Sequence, residues 1–407
     1  MSKISLIFLL FSCAFGDILF LTANESLENT IIIQILSKKS KAKTVAIENA
    51  VQTLLPKPLK DTNYYLFTYF VHNLRPNTRY TFNVDKKPFS FHTPNPEAFR
   101  FAVAGDSENN DTTKHFLKLI AHQNPAFFIM GGDIAYPNTH FFFFLPYKLI
   151  QWLETYSQTM IKDNGDLIPI LGVIGNHDVK GEYDKTPKEA EVFYTLFFPK
   201  IQRSYYAFTI GSAYFLMLDT GHTQKIDAKQ LEWLSSHLFN NTHFPTFIFQ
   251  HVANYPSNRF FNSRSTRLRK LWTPIFDKSN VTAVFEHHDH AMKRTYPIHN
   301  QKVHKNGIVY FGDGCLGVTP RRAKSRWYIE KGWKKNGFWL VDVTPNGYKA
   351  TAIGKKSVLD RYELTLRDKS NLRTGCKRQS TTSYSSLNSL GVELHRNPCI
   401  LPFSLFP

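Results

Sequence analysis

Residues 127–136, with the sequence Phe-Phe-Ile-Met-Gly-Gly-Asp-Ile-Ala-Tyr, join a short apolar run to a turn that carries an aspartate and a tyrosine. The apolar residues Phe127–Met130 have the length and composition of a buried β-strand. In α/β sheets, the residues that contact ligands follow the carboxyl ends of such strands. This stretch therefore predicts an α/β fold in which Asp133 and Tyr136 lie at the end of a strand, in a ligand site.

The same arrangement of an apolar run and a polar turn recurs along the middle of the chain. Asp, Asn and His dominate these turns, and they supply the oxygen and imidazole ligands that suit a pair of hydrolytic metal ions. The other runs and turns are Phe101–Ala104 with Gly105-Asp106-Ser107-Glu108, Ile168–Ile174 with Gly175-Asn176-His177-Asp178, Thr246–Phe249 with Gln250-His251, and Val281–Phe285 with His288-Asp289-His290.

The order of these turns resembles the metallophosphoesterase (calcineurin-like) superfamily and, within it, the purple acid phosphatases. Those enzymes carry the motifs Asp-x-Gly, Gly-Asp-x-x-Tyr, Gly-Asn-His-Glu, Val-x-x-His and Gly-His-x-His, in that order. The resemblance covers roughly the first 350 residues of this chain. The chain departs from that pattern at Glu108, Asp178, Ile248 and His287. Glu108 is interpreted as a base that acts from outside the ligand set, a weak extra ligand or an ordinary surface residue, with the last two favoured equally. The matching positions are Asp106, Asp133, Tyr136, Asn176, His177, His251, His288 and His290.

The resemblance implies a site with two metal ions. Asp106, Asp133, Tyr136 and His290 would hold the first, and Asp133, Asn176, His251 and His288 the second. A phenolate from Tyr136 favours Fe(III) in the first position, with Zn(II), Mn(II) or Fe(II) in the second. The expected reaction is hydrolysis of phosphate monoesters by attack of a metal-bound hydroxide. His177 would contact the phosphoryl oxygens or protonate the leaving group.

The expected fold class is an N-terminal all-β sandwich followed by an α/β catalytic domain. Short runs rich in β-branched and aromatic residues predict the sandwich over residues 17–95. Its stretch 73–80 resembles the proline-containing corner of fibronectin-III-like domains. The catalytic domain is predicted over residues 96–354, where the resemblance implies two mixed β-sheets sandwiched between helices. Residues 355–407 are polar and Ser-rich, which predicts a C-terminal tail.

The N-terminus predicts export from the cytoplasm. Residues 1–16 combine Lys3, an apolar core and the small-x-small sequence Ala14-Phe15-Gly16, as a signal peptide does. The expected location is therefore secreted, periplasmic or lumenal, with lipoprotein anchoring through Cys13 as the weaker alternative. In an oxidising compartment Cys376 and Cys399 could pair, whereas Cys315 follows an apolar strand and is expected to be buried.

The net positive charge of the chain indicates which kinds of binding partner to expect. The chain has 407 residues and a net charge of +18, from 50 Lys and Arg against 32 Asp and Glu. Basic runs at 264–270 and 321–335 are either a solvated surface or a site for an anionic surface or a polyphosphorylated substrate. Phosphorylated small molecules or proteins are the expected substrates, with no specific nucleic acid, and a homodimer is a further expectation. The alternative functions are a phosphodiesterase or nucleotidase of the same superfamily, and a non-catalytic secreted binding protein.

Overall fold

The computed structural model describes residues 16–139, 143–201, 203–260 and 263–365. The predicted signal peptide, except for Gly16, and both C-terminal cysteines lie outside the described residues. Cys315 is buried and free, as expected.

Two four-stranded antiparallel sheets form the N-terminal region. In strands such as Arg79–Val84, alternate side chains are buried and exposed, which is the pattern of a sheet with one solvated face. The sequence predicts six strands here, and all six are present; two short strands, Ala50–Leu54 and Lys57–Pro58, were not predicted. The predicted strands are Ile18–Thr22, Thr30–Leu36, Thr44–Ile47, Tyr64–Val71, Arg79–Val84 and Pro88–His92. The fibronectin-like class of this region stays a prediction. The strand orders are Asp17–Thr22, Ile31–Ser37, Tyr65–Val71, Lys57–Pro58 in one sheet and Ala50–Leu54, Lys43–Ile47, Arg79–Val84, Lys87–His92 in the other.

Two larger mixed sheets follow, and they pack face to face. The ring of Phe101, in the first sheet, contacts the rings of Phe215, Phe247, Phe249 and Phe285 in the second, with centroids 5.5–6.2 Å apart. The strand order of the first is Ile170–Gly172, Phe127–Met130, Phe99–Ala104, Gly337–Thr344, Gly347–Gly354, Val358–Thr365. That of the second is Tyr206–Ile210, Ala213–Leu218, Thr246–Gln250, Val281–Glu286, Val309–Gly312, Met292–Thr295, Ile329–Trp333.

Capping and first-turn residues explain where the first two α-helices begin. Asn110 caps the first by accepting a hydrogen bond from the Thr113 amide. The sequence predicts a helix over residues 142–161, and the observed helix begins at Pro146, a residue that suits the first turn of a helix, and ends at Thr159. The sequence also predicts one helix over residues 265–276, where the structure has two consecutive helices. The α-helices are Asp111–Ala121, Pro146–Thr159, Glu191–Phe197, Lys229–Phe239, Ser263–Leu271 and Thr273–Asp277; short 3₁₀ helices span Asn176–Asp178 and Pro187–Ala190, and two-stranded ribbons pair Asn138–Thr139 with Phe143–Phe144 and Ile298–His299 with Lys302–Val303.

The predicted start of the polar tail at residue 355 is corrected by the structure. Val358–Thr365 forms an antiparallel edge strand on Gly347–Gly354. Asp360 on this strand accepts hydrogen bonds from Arg294 at 2.5 Å and Lys331 at 2.6 Å. These ion pairs explain why so polar a segment joins the sheet. None of the helices in the described part of the chain has an apolar stretch long enough to cross a bilayer.

Candidate metal centre

The predicted turns meet because their strands are neighbours. Phe99–Ala104, Phe127–Met130 and Ile170–Gly172 are parallel, so the loops that follow them emerge at one edge of the first sheet. Thr246–Gln250 and Val281–Glu286 are parallel neighbours in the second sheet. With the two sheets packed together, the loops from both sheets converge, as the sequence predicts.

Asp106, Tyr136 and His290 form one half of the centre. The Tyr136 hydroxyl donates to Oδ1 of Asp106 at 3.0 Å. Nε2 of His290 lies 3.0 Å from that hydroxyl and 3.0 Å from the same carboxylate oxygen. Burial and the charge of Asp106 raise the pKa of Tyr136 well above its ordinary value. A carboxylate, a phenol and an imidazole therefore point at one spot, although they come from three separate loops.

Asp133, Asn176, His251 and His288 form the other half. Nε2 of His251 lies 3.2 Å from Oδ2 of Asp133 and 3.2 Å from the Asn176 amide oxygen. Nδ1 of His288 lies 3.2 Å from the same His251 nitrogen. One ligand atom each from Asp133, His251 and His288 lie within 4.8 Å of one another. This spacing and these atom types are suited to a divalent cation.

The polar atoms of this second half also fit a metal ion. Oδ2 of Asp133 is buried and, apart from the contact with Nε2 of His251, has no polar partner among the described residues. Such atoms are rare unless they have another role. Nδ1 of His251 faces the Gly131 carbonyl at 2.9 Å, which keeps a proton on that nitrogen and leaves Nε2 for the centre. The residues present therefore fit the metal pair that the resemblance implies.

The electrostatics show how closely these groups are coupled. Burial lowers the pKa of His251, but the charges of Asp133 and Asp106 outweigh burial and raise it to about 9. Burial opposes ionisation of Asp133, yet the charges of His251 and His177 hold its pKa well below the ordinary value. Burial and the charge of His251 lower the pKa of His288 well below its ordinary value. The Asp133 carboxylate and the His251 imidazole therefore stabilise each other's charged forms.

His177 lies beside the centre, and its ring contacts no carboxylate of the residues that the structure describes. Its backbone amide donates to Oδ1 of Asp133 at 2.7 Å. Its half-buried ring stacks near Tyr136, with centroids 4.3 Å apart, and Nδ1 lies 3.2 Å from the Asn138 carbonyl. His177 therefore lies next to the proposed ligands, and its role toward a substrate stays a prediction.

Asp178 joins two of the ligand loops, a role that the sequence left undecided. Its carboxylate accepts hydrogen bonds at 2.8 Å from the backbone amides of Asp133, Ile134 and Gly175. Burial and the charge of Asp133 raise the pKa of Asp178, and the amides of Gly175 and Ile134 oppose that rise. The carboxylate fixes the turns that present Asp133 and Asn176.

Two positions depart from the family pattern in different ways. Glu108 is exposed and has no contact with the ligand atoms among the described residues, which favours the surface interpretation. His287 is buried, and its Nδ1 lies 2.6 Å from Oδ1 of Asp313. A Cβ at Gly131 would lie 2.0 Å from the His287 ring, so that glycine makes room for it. His287 therefore packs beneath the centre.

The sequence analysis missed Asp289, the middle residue of the last ligand turn. Its buried carboxylate accepts from the Ser257 hydroxyl at 2.8 Å, the Asn258 amide at 2.9 Å and the Arg259 amide at 3.0 Å. Asp289 thereby holds segment 257–259 against the centre. An aspartate between two ligand histidines was the only signal for this role.

Comparison with known proteins agrees with this geometry. The family model described as calcineurin-like phosphoesterase matches residues 99–292. Purple acid phosphatase 21 of Arabidopsis thaliana is 26% identical over 278 residues, which is 61% of this chain and 60% of that protein. Purple acid phosphatase 22 of the same plant is 24% identical, over 59% of this chain and 56% of its own length. The chain thus spans about 60% of the length of the first of these relatives.

Solved structures share the fold. Purple acid phosphatase PPD1 from yellow lupin (Lupinus luteus) seeds superposes with a TM-score of 0.71 at 15% identity, covering 91% of this chain and 78% of that one. PhoD superposes with a TM-score of 0.64 at 15% identity, covering 87% and 90%. These two structures cover most of the chain, and the order of a strand-rich N-terminal region and an α/β domain with mixed sheets confirms the predicted fold class.

Proposed function

Because residues 99–292 carry a calcineurin-like phosphoesterase domain and the chain is purple acid phosphatase-like, we propose that this protein is a secreted dinuclear-metal phosphoesterase that hydrolyses phosphate monoesters. The observation that carries the proposal is the convergence of the two ligand sets. Asp106 connects them, since its Oδ1 faces Tyr136 and its Oδ2 accepts from the His288 amide at 2.8 Å.

The ligand chemistry bears on which metals would bind. Asp106, Tyr136 and His290 would hold Fe(III), because a phenolate is a hard anionic ligand. Asn176, His251 and His288 would hold Zn(II), Mn(II) or Fe(II), and Asp133 would be shared between the two ions. When bound, the metal pair supplies positive charge that polarises the phosphoryl group.

The chain's own groups would do the remaining chemistry. The Asn138 carbonyl, 3.2 Å from Nδ1 of His177, accepts the proton of that nitrogen, so the charged ring would present an Nε2–H that donates to a phosphoryl oxygen. When the ring is charged, Nε2 can also give a proton to the leaving oxygen. The stacking of His177 near Tyr136 and its amide bond to Asp133 fix it beside the centre. Its role is therefore that of a general acid.

Hydrolysis of an aryl phosphate by purified protein tests the proposal, and a chelator should slow it. His177→Ala should retain its metals but lose roughly 10²–10⁴-fold in kcat, as expected for a general acid. Asp133→Ala should lose metal, because the shared carboxylate is removed. Full metal occupancy without turnover of monoesters, diesters or nucleotides would instead favour the non-catalytic binding protein.

A further inference from the structure

Four asparagines of the chain lie in the sequence Asn-x-Ser/Thr, which is the acceptor sequence for N-linked glycosylation in exported proteins. They are Asn24, Asn110, Asn240 and Asn280. A glycan is bulky and hydrophilic, so a folded protein accommodates one only where the asparagine lies at the surface. The surroundings of each side-chain amide therefore decide which of the four positions can be modified in the folded protein.

Two of these side chains are engaged inside the fold. Asn24 is only 6% exposed, and its Nδ2 donates to two backbone carbonyls, including that of Phe197 at 2.7 Å. The half-buried Asn110 accepts from the Thr113 amide at 3.0 Å and donates to the Gly317 carbonyl at 2.8 Å. A sugar on Asn24 would break one of its hydrogen bonds and enter a buried site. A sugar on Asn110 would crowd the contact that joins the start of a helix to Gly317.

The other two side chains are exposed, and they are neighbours. Asn240 follows the helix Lys229–Phe239, and Asn280 directly precedes the strand Val281–Glu286. The side-chain amide of Asn280 donates at 3.3 Å to the carbonyl of Asn241, the residue after Asn240. An asparagine amide has two N–H groups, so Asn280 can keep this bond when a sugar replaces the other hydrogen. Both exposed positions are therefore compatible with a glycan.

Both exposed asparagines lie at the end of the second mixed sheet that is remote from the metal centre. The parallel strands Thr246–Gln250 and Val281–Glu286 are followed by ligand histidines at their carboxyl ends. Asn240 and Asn280 instead precede the amino ends of these strands. The six residues of the second strand span about 20 Å at about 3.3 Å per residue. Glycans attached at the amino ends would therefore leave the ligand turns uncovered.

We propose that Asn240 and Asn280 each carry an N-linked glycan in the exported protein, whereas Asn24 and Asn110 carry none. The donor is an oligosaccharide linked to a polyprenyl diphosphate. The amide nitrogen forms a bond to the anomeric carbon of the first sugar and loses a proton. The bond from that carbon to the diphosphate breaks, and the polyprenyl diphosphate leaves. The proposal depends on the export that residues 1–16 predict, and it is independent of the proposed hydrolytic activity.

Secretion of the full chain from a eukaryotic cell line tests these positions. Digestion of the secreted protein with a peptide:N-glycosidase should increase its gel mobility, because this enzyme removes the glycan and converts the modified asparagine to aspartate. Peptide mass spectrometry should then find this conversion at Asn240 and Asn280, with Asn24 and Asn110 unchanged. An unmodified Asn240 or Asn280 in the secreted protein would overturn the proposal. A glycan on Asn24, or an unmodified chain that stays in the cytosol, would overturn it as well.

Thr242 provides a matched pair of variants for the first position. Thr242→Ala destroys the acceptor sequence without changing Asn240 and should remove one of two steps in gel mobility, whereas Thr242→Ser keeps the acceptor sequence and both steps. Thr242 is exposed, so neither change should disturb folding. Asn280→Gln tests the second position, because Thr282 of that acceptor sequence is buried and donates to the Thr246 carbonyl at 2.8 Å. Two steps that persist in Thr242→Ala would overturn the assignment of Asn240.

Discussion

Replacing Asp178 by asparagine tests how the ligand loops are held together. The carboxylate accepts three backbone amides at 2.8 Å, with Oδ2 shared by Asp133 and Gly175 and Oδ1 facing Ile134. An asparagine amide keeps only one acceptor oxygen, so its NH₂ group must face at least one buried N–H. Losing one charge-assisted bond and leaving its donor unpaired should cost roughly 2–4 kcal/mol in the free energy of unfolding.

Urea unfolding of the metal-free protein, followed by tryptophan fluorescence, measures this cost, because Trp152, Trp272 and Trp339 are fully buried. Metal affinity should also fall by about 10- to 100-fold, since the turns that present Asp133 and Asn176 loosen. The control is Asp163→Asn, which makes the same chemical change at an exposed aspartate. If Asp178→Asn changes the free energy of unfolding by less than about 0.5 kcal/mol, as a surface change would, the carboxylate does not hold the loops.

Two further changes probe the iron ligand and the edge strand. The iron-loaded protein should be pink to purple because tyrosinate bound to Fe(III) absorbs visible light, and Tyr136→Phe should bind iron without colour; a colourless iron-loaded wild type would exclude Tyr136 as a ligand. Burial opposes ionisation of Asp360, but hydrogen bonds from Arg294 and a lysine hold its pKa below the ordinary value. Its stabilising effect is therefore present above about pH 4 and disappears as the pH falls through the folded pKa. Asp360→Asn should be less stable than wild type at pH 7 and lose that deficit below pH 4 in thermal unfolding; a deficit that persists in acid would contradict the ion pair.

Strand-terminal motifs made the core of the fold predictable from sequence. An apolar run followed by Gly-Asp or Gly-Asn is typical of a buried strand that ends in a tight turn, and Phe101–Ala104 and Phe127–Met130 are strands within a residue or two of the predicted limits. Val358–Thr365 was not predictable because its residues are polar and its place depends on cations far away in sequence. A local pattern does not contain such partners.

The residues of the metal centre show the same contrast between features set by local sequence and features set by distant partners. Asp133 and His251 were predictable because each follows an apolar strand, and the structure places their side chains in contact. The roles of Asp178 and Asp289 were not predictable, because aspartate is common in turns and these carboxylates bind backbone amides of loops that are distant in sequence. Their significance depends on which loops they join. That information belongs to the tertiary structure.

The backbone at the centre gives an independent reason to assign function here. Five of the proposed ligands have left-handed backbone, with φ of 57° at Asp106, 56° at Asp133, 51° at Tyr136, 62° at His288 and 55° at His290. Each such residue costs of order 1 kcal/mol, although Asp and His tolerate the region better than most. Folding alone would favour glycine at these turns. Side chains are retained there because the abrupt turns bring ligand atoms from separate strands together, and Asp178 and Asp289 supply the hydrogen bonds that hold the strained turns in place.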